Sequence, residues 1–156
     1  MRQEIYFTAF GDPAPQGSKK YVGNGIMIEA SKKIPAWRKA VAEAVARTFV
    51  ATGDSSMFTE PVEIWATFYL ARPKTVKRLF PQVPPDLDKL ERGLFDALTQ
   101  SGVWKDDSLV VRSHTAKIYA DKHNTGVAVA VQVVKDAPNP LAPAVTKLLH
   151  KIAQSK

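Results

Sequence analysis

The stretch PPDLDKLERGLFDALTQSGVWKDD, Pro84 to Asp107, places Asp86 and Asp88 two residues apart and then sets Asp106 and Asp107 side by side. Carboxylates gathered this closely repel one another and hold their protons more tightly, unless a cation sits between them. Oxygen donors with no His or Cys in the stretch suit Mg²⁺, with Mn²⁺ able to substitute. Beside a phosphodiester, such a cation polarises the phosphoryl oxygen, activates the attacking water and stabilises the leaving oxygen. The chemistry would be metal-assisted phosphodiester hydrolysis, with Asp86 and Asp88 as candidate ligands and with loop geometry deciding whether Asp106 or Asp107 comes round to join them.

Each aspartate also has a plainer reading. Asp88 with Glu91 has the spacing of a capping box at a helix start. A carboxylate has enough lone pairs to cap a helix and bind a metal at once. Lys105–Ser108, KDDS, is ordinary turn chemistry. Pro84 and Pro85 keep the approach extended, and residues i and i+2 of an extended chain point to one side. That puts Asp86 and Asp88 on a common point. Arg92 lies one helical turn beyond Asp88. It can steady charge on a phosphate in the transition state, or pair with Asp88 or Asp96, which leaves Asp96 a supporting role. Lys89 and Lys105 flank the cluster and can touch a DNA backbone or stay solvated.

The elements that must hold these residues follow from periodicity. Glu4–Phe10 alternates as a strand. GDPAPQGSKKYVGNG reads as a loop carrying Lys19 and Lys20. Ile34–Val50 reads as a helix, with Pro35 in its first turn and Trp37, Val41, Val45 and Phe49 on one stripe. Val62–Ala71 is a strand. From Asp88 a second helix runs to Ser101, with Leu90, Leu94, Ala97 and Leu98 facing inward and Gly102 as its stop. SLVVRSHTAKIYA and GVAVAVQVV are strands, and the turn DKHNTG predicts that they pair as a hairpin. KDAPNPLAP is a linker, and AVTKLLHKIAQSK an amphipathic basic helix. The order predicts an α+β fold, one mixed-sheet domain over residues 1–135, and a linker with tail helix over 136–156. Of the tryptophans, Trp37 and Trp65 are expected in the core, and Trp104 is free for an interface or for stacking on bases. His114, His123 and His150 have no metal-ligand spacing and stay outside the site, as do Ser18, Ser108 and Ser113.

The 156 residues carry a net charge of +7 and no cysteine, which excludes disulfides, zinc–thiolate sites and a cysteine nucleophile. Residues 1–60 carry +2, residues 61–110 carry 0 and residues 111–156 carry +5. The acids therefore concentrate in the quoted stretch, and the basic excess lies outside it. With no apolar run long enough for a membrane helix and no signal-peptide pattern, the expected protein is cytoplasmic. The basic balance favours nucleic acid as partner. A plain nucleic-acid binder gains nothing from clustered carboxylates; a nuclease does.

DLDKLERGLFDALTQSGVWKDDSLV resembles the central motif of the RusA family of Holliday-junction resolvases: Asp-x-Asp-Asn-Leu-x-Lys, then Asp-Ala-Leu, then Gly, an apolar pair and Asp-Asp. GDPAPQGSKK is similar to the family's N-terminal Gly-x-Pro-x-Pro-x-Gly stretch with trailing basic residues. The resemblance implies a RusA-like fold and a homodimeric, Mg²⁺-dependent endonuclease. It would nick four-way DNA junctions symmetrically in recombination and repair, in a bacterial or phage-infected cell. It also implies metal binding by Asp86, Asp88 and Asp107, with Asp106 as their neighbour. Two positions depart from the pattern. Arg92 stands for the family's lysine, and its pKa above about 12 leaves a charge role but not ready proton donation. Lys89 stands for the family's asparagine. Competing expectations are a nuclease preferring flaps, forks or D-loops, a junction-binding module without catalysis, and an unrelated α+β protein with a solvated acidic turn.

Overall fold

The structure is a computed structural model that describes residues 1–17, 19–29, 32–135, 150, 151, 153 and 154. Most of the expected tail helix and most of its linker lie outside the described residues. The elements are β1 (Glu4–Phe10), β2 (Lys19–Tyr21), β3 (Met27–Glu29), α1 (Ile34–Thr52), β4 (Val62–Ala71), α2 (Leu87–Gln100), a 3₁₀ turn at Asp107–Leu109, β5 (Val110–Ala120) and β6 (Gly126–Val133). The segment expected to be loop thus contains a small antiparallel hairpin, β2–β3. Its turn holds Gly23, Asn24 and Gly25 at positive φ, a conformation that glycine and asparagine adopt at least cost.

The main sheet is mixed, in the order β1-β6-β4-β5. This is an α+β fold with two helices, as the element pattern predicts, but its pairing differs in one respect. β5 and β6 do not form a hairpin. β4 lies between them, parallel to β5 and antiparallel to β6. The reason is burial. Val62, Ile64, Ala66, Phe68 and Leu70 of β4 are all buried, the longest such row in the sheet, so β4 takes an interior place. β4–α2–β5 is then a strand–helix–strand crossover, the connection that parallel neighbours need. Residues 121–125 only have to step across one intervening strand, about 10 Å.

Both helices pack on the same face of the sheet. Trp37, Val41 and Val45 of α1 are buried, while Phe49 is partly buried and receives the Arg2 guanidinium over its ring at 4.8 Å. On α2, Leu90, Leu94, Ala97 and Leu98 are buried, each large side chain contributing about 1.5–3 kcal/mol by leaving water. The helix ends as its sequence predicts. Gly102 takes φ +78°, its N–H donates to the Thr99 carbonyl at 3.2 Å, and the Val103 N–H donates to the Leu98 carbonyl at 3.1 Å. This paired closure needs a left-handed residue at Gly102.

The tryptophans exchange their expected places. Trp104 is fully buried, edge-on to Phe95 with ring centroids 5.8 Å apart, and its Nε1–H donates to Thr99 Oγ1 at 2.8 Å. Trp65 is 37% exposed on the uncovered face of the sheet, stacked on His114 with centroids 5.1 Å apart. Strand alternation decides this: Ile64 and Ala66 face the helices, so Trp65 must face away.

Candidate active site at the ends of helix α2

Helix α2 begins two residues earlier than the capping-box spacing predicts. Asp86 occupies the N-cap position with extended backbone, φ −68° and ψ 143°, and its side chain makes no capping hydrogen bond. Asp88 is in the first turn and is not the cap. The i, i+2 argument for a common direction therefore fails, because Leu87 and Asp88 are already helical. What the two share is the positive end of the helix dipole, which favours carboxylates there. Asp86 is exposed and lies 3.5 Å from Lys89 Nζ. Asp88 is exposed and makes no side-chain hydrogen bond or ion pair among the described residues. Glu91 accepts a hydrogen bond from Ser113 Oγ of β5 and takes no part in a capping box.

The Arg92–Asp96 pairing does not form either. Asp96 accepts from Gln16 Nε2 and lies 4.0 Å from Arg38 Nη2, which in turn donates to Gln16 Oε1 at 2.6 Å. The proline-rich segment Pro13–Gly17 is thereby clamped between α1 and α2. Its Gln16 N–H donates to the Lys89 carbonyl at 2.9 Å. The Arg92 guanidinium lies against Gly17, where an added Cβ would fall 2.5 Å from Nη1. Gly93 meets the same segment from the helix side, and a Cβ there would fall 2.7 Å from the Ala14 carbonyl oxygen. Gly93→Ala is expected to lever the segment off α2 and cost about 1–3 kcal/mol, read as a shift of the urea midpoint with an unchanged slope. Sequence spacing missed the roles of Gln16 and Arg38, because their partners are about 80 and 22 residues away along the chain.

Asp106 and Asp107 are both exposed but differ in task. Asp106 Oδ1 accepts the Ser108 N–H at 2.7 Å and caps the 3₁₀ turn. Hydrogen bonds from the Ser108 side chain and backbone hold its carboxyl below the usual value of 3.8. A carboxyl with a depressed folded pKa stabilises the fold above its unfolded pKa. The turn's contribution is therefore present above about pH 3.8 and is lost as pH falls through the folded value. Asp106→Asn keeps an acceptor for Ser108, so its expected effect on the melting temperature at neutral pH is small; a large loss would mean that the charge of Asp106 serves another partner. Asp107 has no such bond among the described residues and is free to act as a ligand.

Strand β5 runs along α2 in the opposite sense. Near its end, Lys117 Nζ donates to the carbonyls of Val83 and Pro85 at 2.9 Å each, just before the helix start. Nearer its beginning, Ser113 reaches Glu91. Asp107, just before β5, therefore lies toward the far end of a helix about 21 Å long. Within one protomer Asp86 and Asp88 stand together and Asp107 stands apart. Among the described residues no three Asp, Glu or His side chains converge into a metal-binding group. The chain comes back beside the helix start only at Lys117. The side chains of Lys19 and Lys20 are outside the described set; Lys105 is exposed and Lys89 partly so.

The model of the family described as Endodeoxyribonuclease RusA matches residues 11–132, about four-fifths of the chain. The chain belongs to the RusA family. It is a Holliday-junction resolvase by family, an endodeoxyribonuclease that hydrolyses phosphodiester bonds, with branched DNA as the family's substrate. RusA resolvases are generally dependent on a divalent metal. The donor chemistry here fits one: exposed oxygen ligands, and no sulfur or imidazole among them. No curated protein sequence matches the chain. No helix among the described residues is long and apolar enough to cross a membrane.

Proposed function

We propose that this RusA-family chain is a homodimeric, Mg²⁺-dependent endonuclease that resolves four-way DNA junctions by paired symmetric nicks, with Mn²⁺ able to substitute. The observation that carries the reading is the set of exposed carboxylates at Asp86, Asp88 and Asp107, at the positions of the family's Asp-x-Asp and Asp-Asp motifs. Asp86 and Asp88 would hold the cation at the start of α2. Asp107 of a second copy would complete the set, since one protomer keeps its own Asp107 apart. When bound, the cation supplies Lewis acidity at the scissile phosphate. Two identical centres related by a two-fold suit two related strands cut at related positions.

The chain's own residues do the rest. Arg92, held against Gly17, presents a permanent positive charge to the phosphate. Lys89 partly neutralises Asp86 and must turn away when Asp86 takes a cation. Lys19, Lys20, Lys89 and Lys105 follow the DNA backbone. Residues 1–135 form the nuclease domain, and residues 136–156 append a linker and a basic amphipathic helix. Its place of action is the cytoplasm of a bacterial or phage-infected cell.

The test is cleavage of an end-labelled four-way junction beside linear duplex, flap and fork controls, with Mg²⁺ and with EDTA. Paired symmetric nicks on the junction, lost in EDTA, are the expected result. A preference for flap or fork moves the enzyme to another branched substrate. Tight junction binding with no nick in Mg²⁺ or Mn²⁺ makes it a binding module. Arg92→Lys is expected to keep cleavage within about tenfold if charge is what matters; a dead variant would show that the planar fork of arginine is needed.

A further inference from the structure

Strand β5 carries a single lysine, and it points toward the helices. The pairing with β4 sets that side: Ser113 stands opposite Ile64, Lys117 opposite Phe68 and Tyr119 opposite Leu70. Ile64, Phe68 and Leu70 are all buried under the helices. An ammonium group turned to an apolar face gives up water and needs hydrogen bonds in return, whereas an aliphatic side chain would fill the place without that cost. Lys117 is partly buried, and both of its hydrogen bonds go to one short segment. Nζ donates to the carbonyls of Val83 and Pro85 at 2.9 Å each.

That segment has few donors of its own. Pro81, Pro84 and Pro85 have no N–H, so their backbones can only accept. Among the described residues, Lys117 makes the only hydrogen bonds to the backbone of residues 81–85. The Pro85 carbonyl belongs to the peptide that leads into Asp86. Asp86 is the N-cap of α2, and its side chain makes no capping bond. Its carbonyl accepts the Leu90 N–H at 3.1 Å, which ties down the peptide after Asp86 and not the one before it. The peptide before it is held from the neighbouring strand, by Lys117. Filling space would need no charge here. A phosphate contact would need a free ammonium group, and two of its three donors are taken.

We infer that Lys117 is the positioning residue of Asp86: its ammonium group pins Val83 and Pro85, and so sets where the Asp86 carboxylate stands. The inference rests on the reading of Asp86 as a metal ligand and names the group that sets its place. Sites on loops are held less closely than sites on helices and strands. Here β5 lends its rigidity to a loop through two charge-assisted bonds from one side chain. A displacement of about 1 Å at a reacting centre is enough to slow it about 10²-fold, and groups that stand behind metal ligands typically matter by about 10–100-fold.

The test compares the full chain with Lys117→Met, Lys117→Arg and Asp86→Asn. Methionine keeps an apolar stem and removes the ammonium group. Amide hydrogen exchange followed by NMR in EDTA reads the helix start without metal or DNA. In Lys117→Met the Leu90 amide, bonded to the Asp86 carbonyl, is expected to exchange at least about tenfold faster. The Ser101 amide, bonded to the Ala97 carbonyl at the other end of α2, should not change. Single-turnover junction cleavage in Mg²⁺ should fall about 10²-fold, with junction affinity and its salt dependence unchanged. Lys117→Arg can still donate to both carbonyls and should recover most of the rate. Wild-type cleavage and an unchanged Leu90 amide in Lys117→Met overturn the positioning role. Weaker junction binding with a salt slope shallower by about 1 makes Lys117 a phosphate contact and overturns it as well. If Lys117→Met fails to fold, Lys117→Gln decides on the same readouts. Asp86→Asn separates this inference from the reading beneath it. An Asp86→Asn variant that cleaves like the wild type removes Asp86 from the metal set, whatever Lys117 does. A dead Asp86→Asn beside an unimpaired Lys117→Met overturns the positioning role alone.

Discussion

Asp88→Asn is expected to abolish junction cleavage in Mg²⁺, by at least about 10²–10³-fold, the loss seen when one preorganised electrostatic group is removed from a reacting centre. Junction binding should stay equal or tighten slightly, because the change removes a negative charge from the path of the phosphates. The fold should not suffer. Asp88 makes no capping bond, and its carboxylate is exposed in the first turn of α2. Asparagine gives up only the favourable placement of a negative charge at the helix start, about 0.3–1 kcal/mol. The measurement is single-turnover cleavage beside a gel-shift titration on the same labelled junction. Retained cleavage would remove Asp88 from the mechanism. Loss of binding together with cleavage would point to misfolding and shift attention to the Pro13–Gly17 clamp.

Trp104→Ala is expected to cost about 3–5 kcal/mol, the range for deleting a large aromatic from a core. Trp104 is fully buried, packs edge-on against Phe95 and forms a bridge with Phe58. The ring is thus tied to α2 through Phe95 and Thr99, while the backbone that carries it pairs with Phe58. The loss is a large part of the 5–15 kcal/mol that holds a domain of this kind together. Trp104→Phe keeps most of the packing and loses the bond from Nε1 to Thr99. Its cost should be nearer 1–2 kcal/mol, because Thr99 Oγ1 still donates to the Phe95 carbonyl at 3.0 Å. Urea unfolding followed by circular dichroism separates the two variants. Equal, small losses would mean that the 103–105 segment is not anchored by this ring. The consequence reaches the site, since Asp106 and Asp107 follow directly from that anchor.

Much of the molecule is written locally in the chain. Alternation in Glu4–Phe10 and Val62–Ala71, the apolar stripe of α2, and Gly102 as its stop all act over one to five residues, and the structure contains each of them. The Asp-x-Asp and Asp-Asp motifs belong to the same local order and carry the family with them. Long-range competition was not legible. Whether β5 pairs with β6 depends on which strand has the most apolar surface to hide, and β4 takes the interior place. Trp65 and Trp104 are equally apolar as residues, yet strand parity turns one outward while the closing turn of α2 pulls the other in. Gln16, Arg38 and Asp96 find one another only because α1 and α2 pack together. The sequence by itself determined the family and which residues are proposed to carry the chemistry, since residue type and spacing set which groups can bind a cation or a phosphate. Only the tertiary structure decided where they stand. Asp86 and Asp88 stand at the start of α2 and Asp107 in the turn after it, and no local spacing rule says how the chain folds back along that helix.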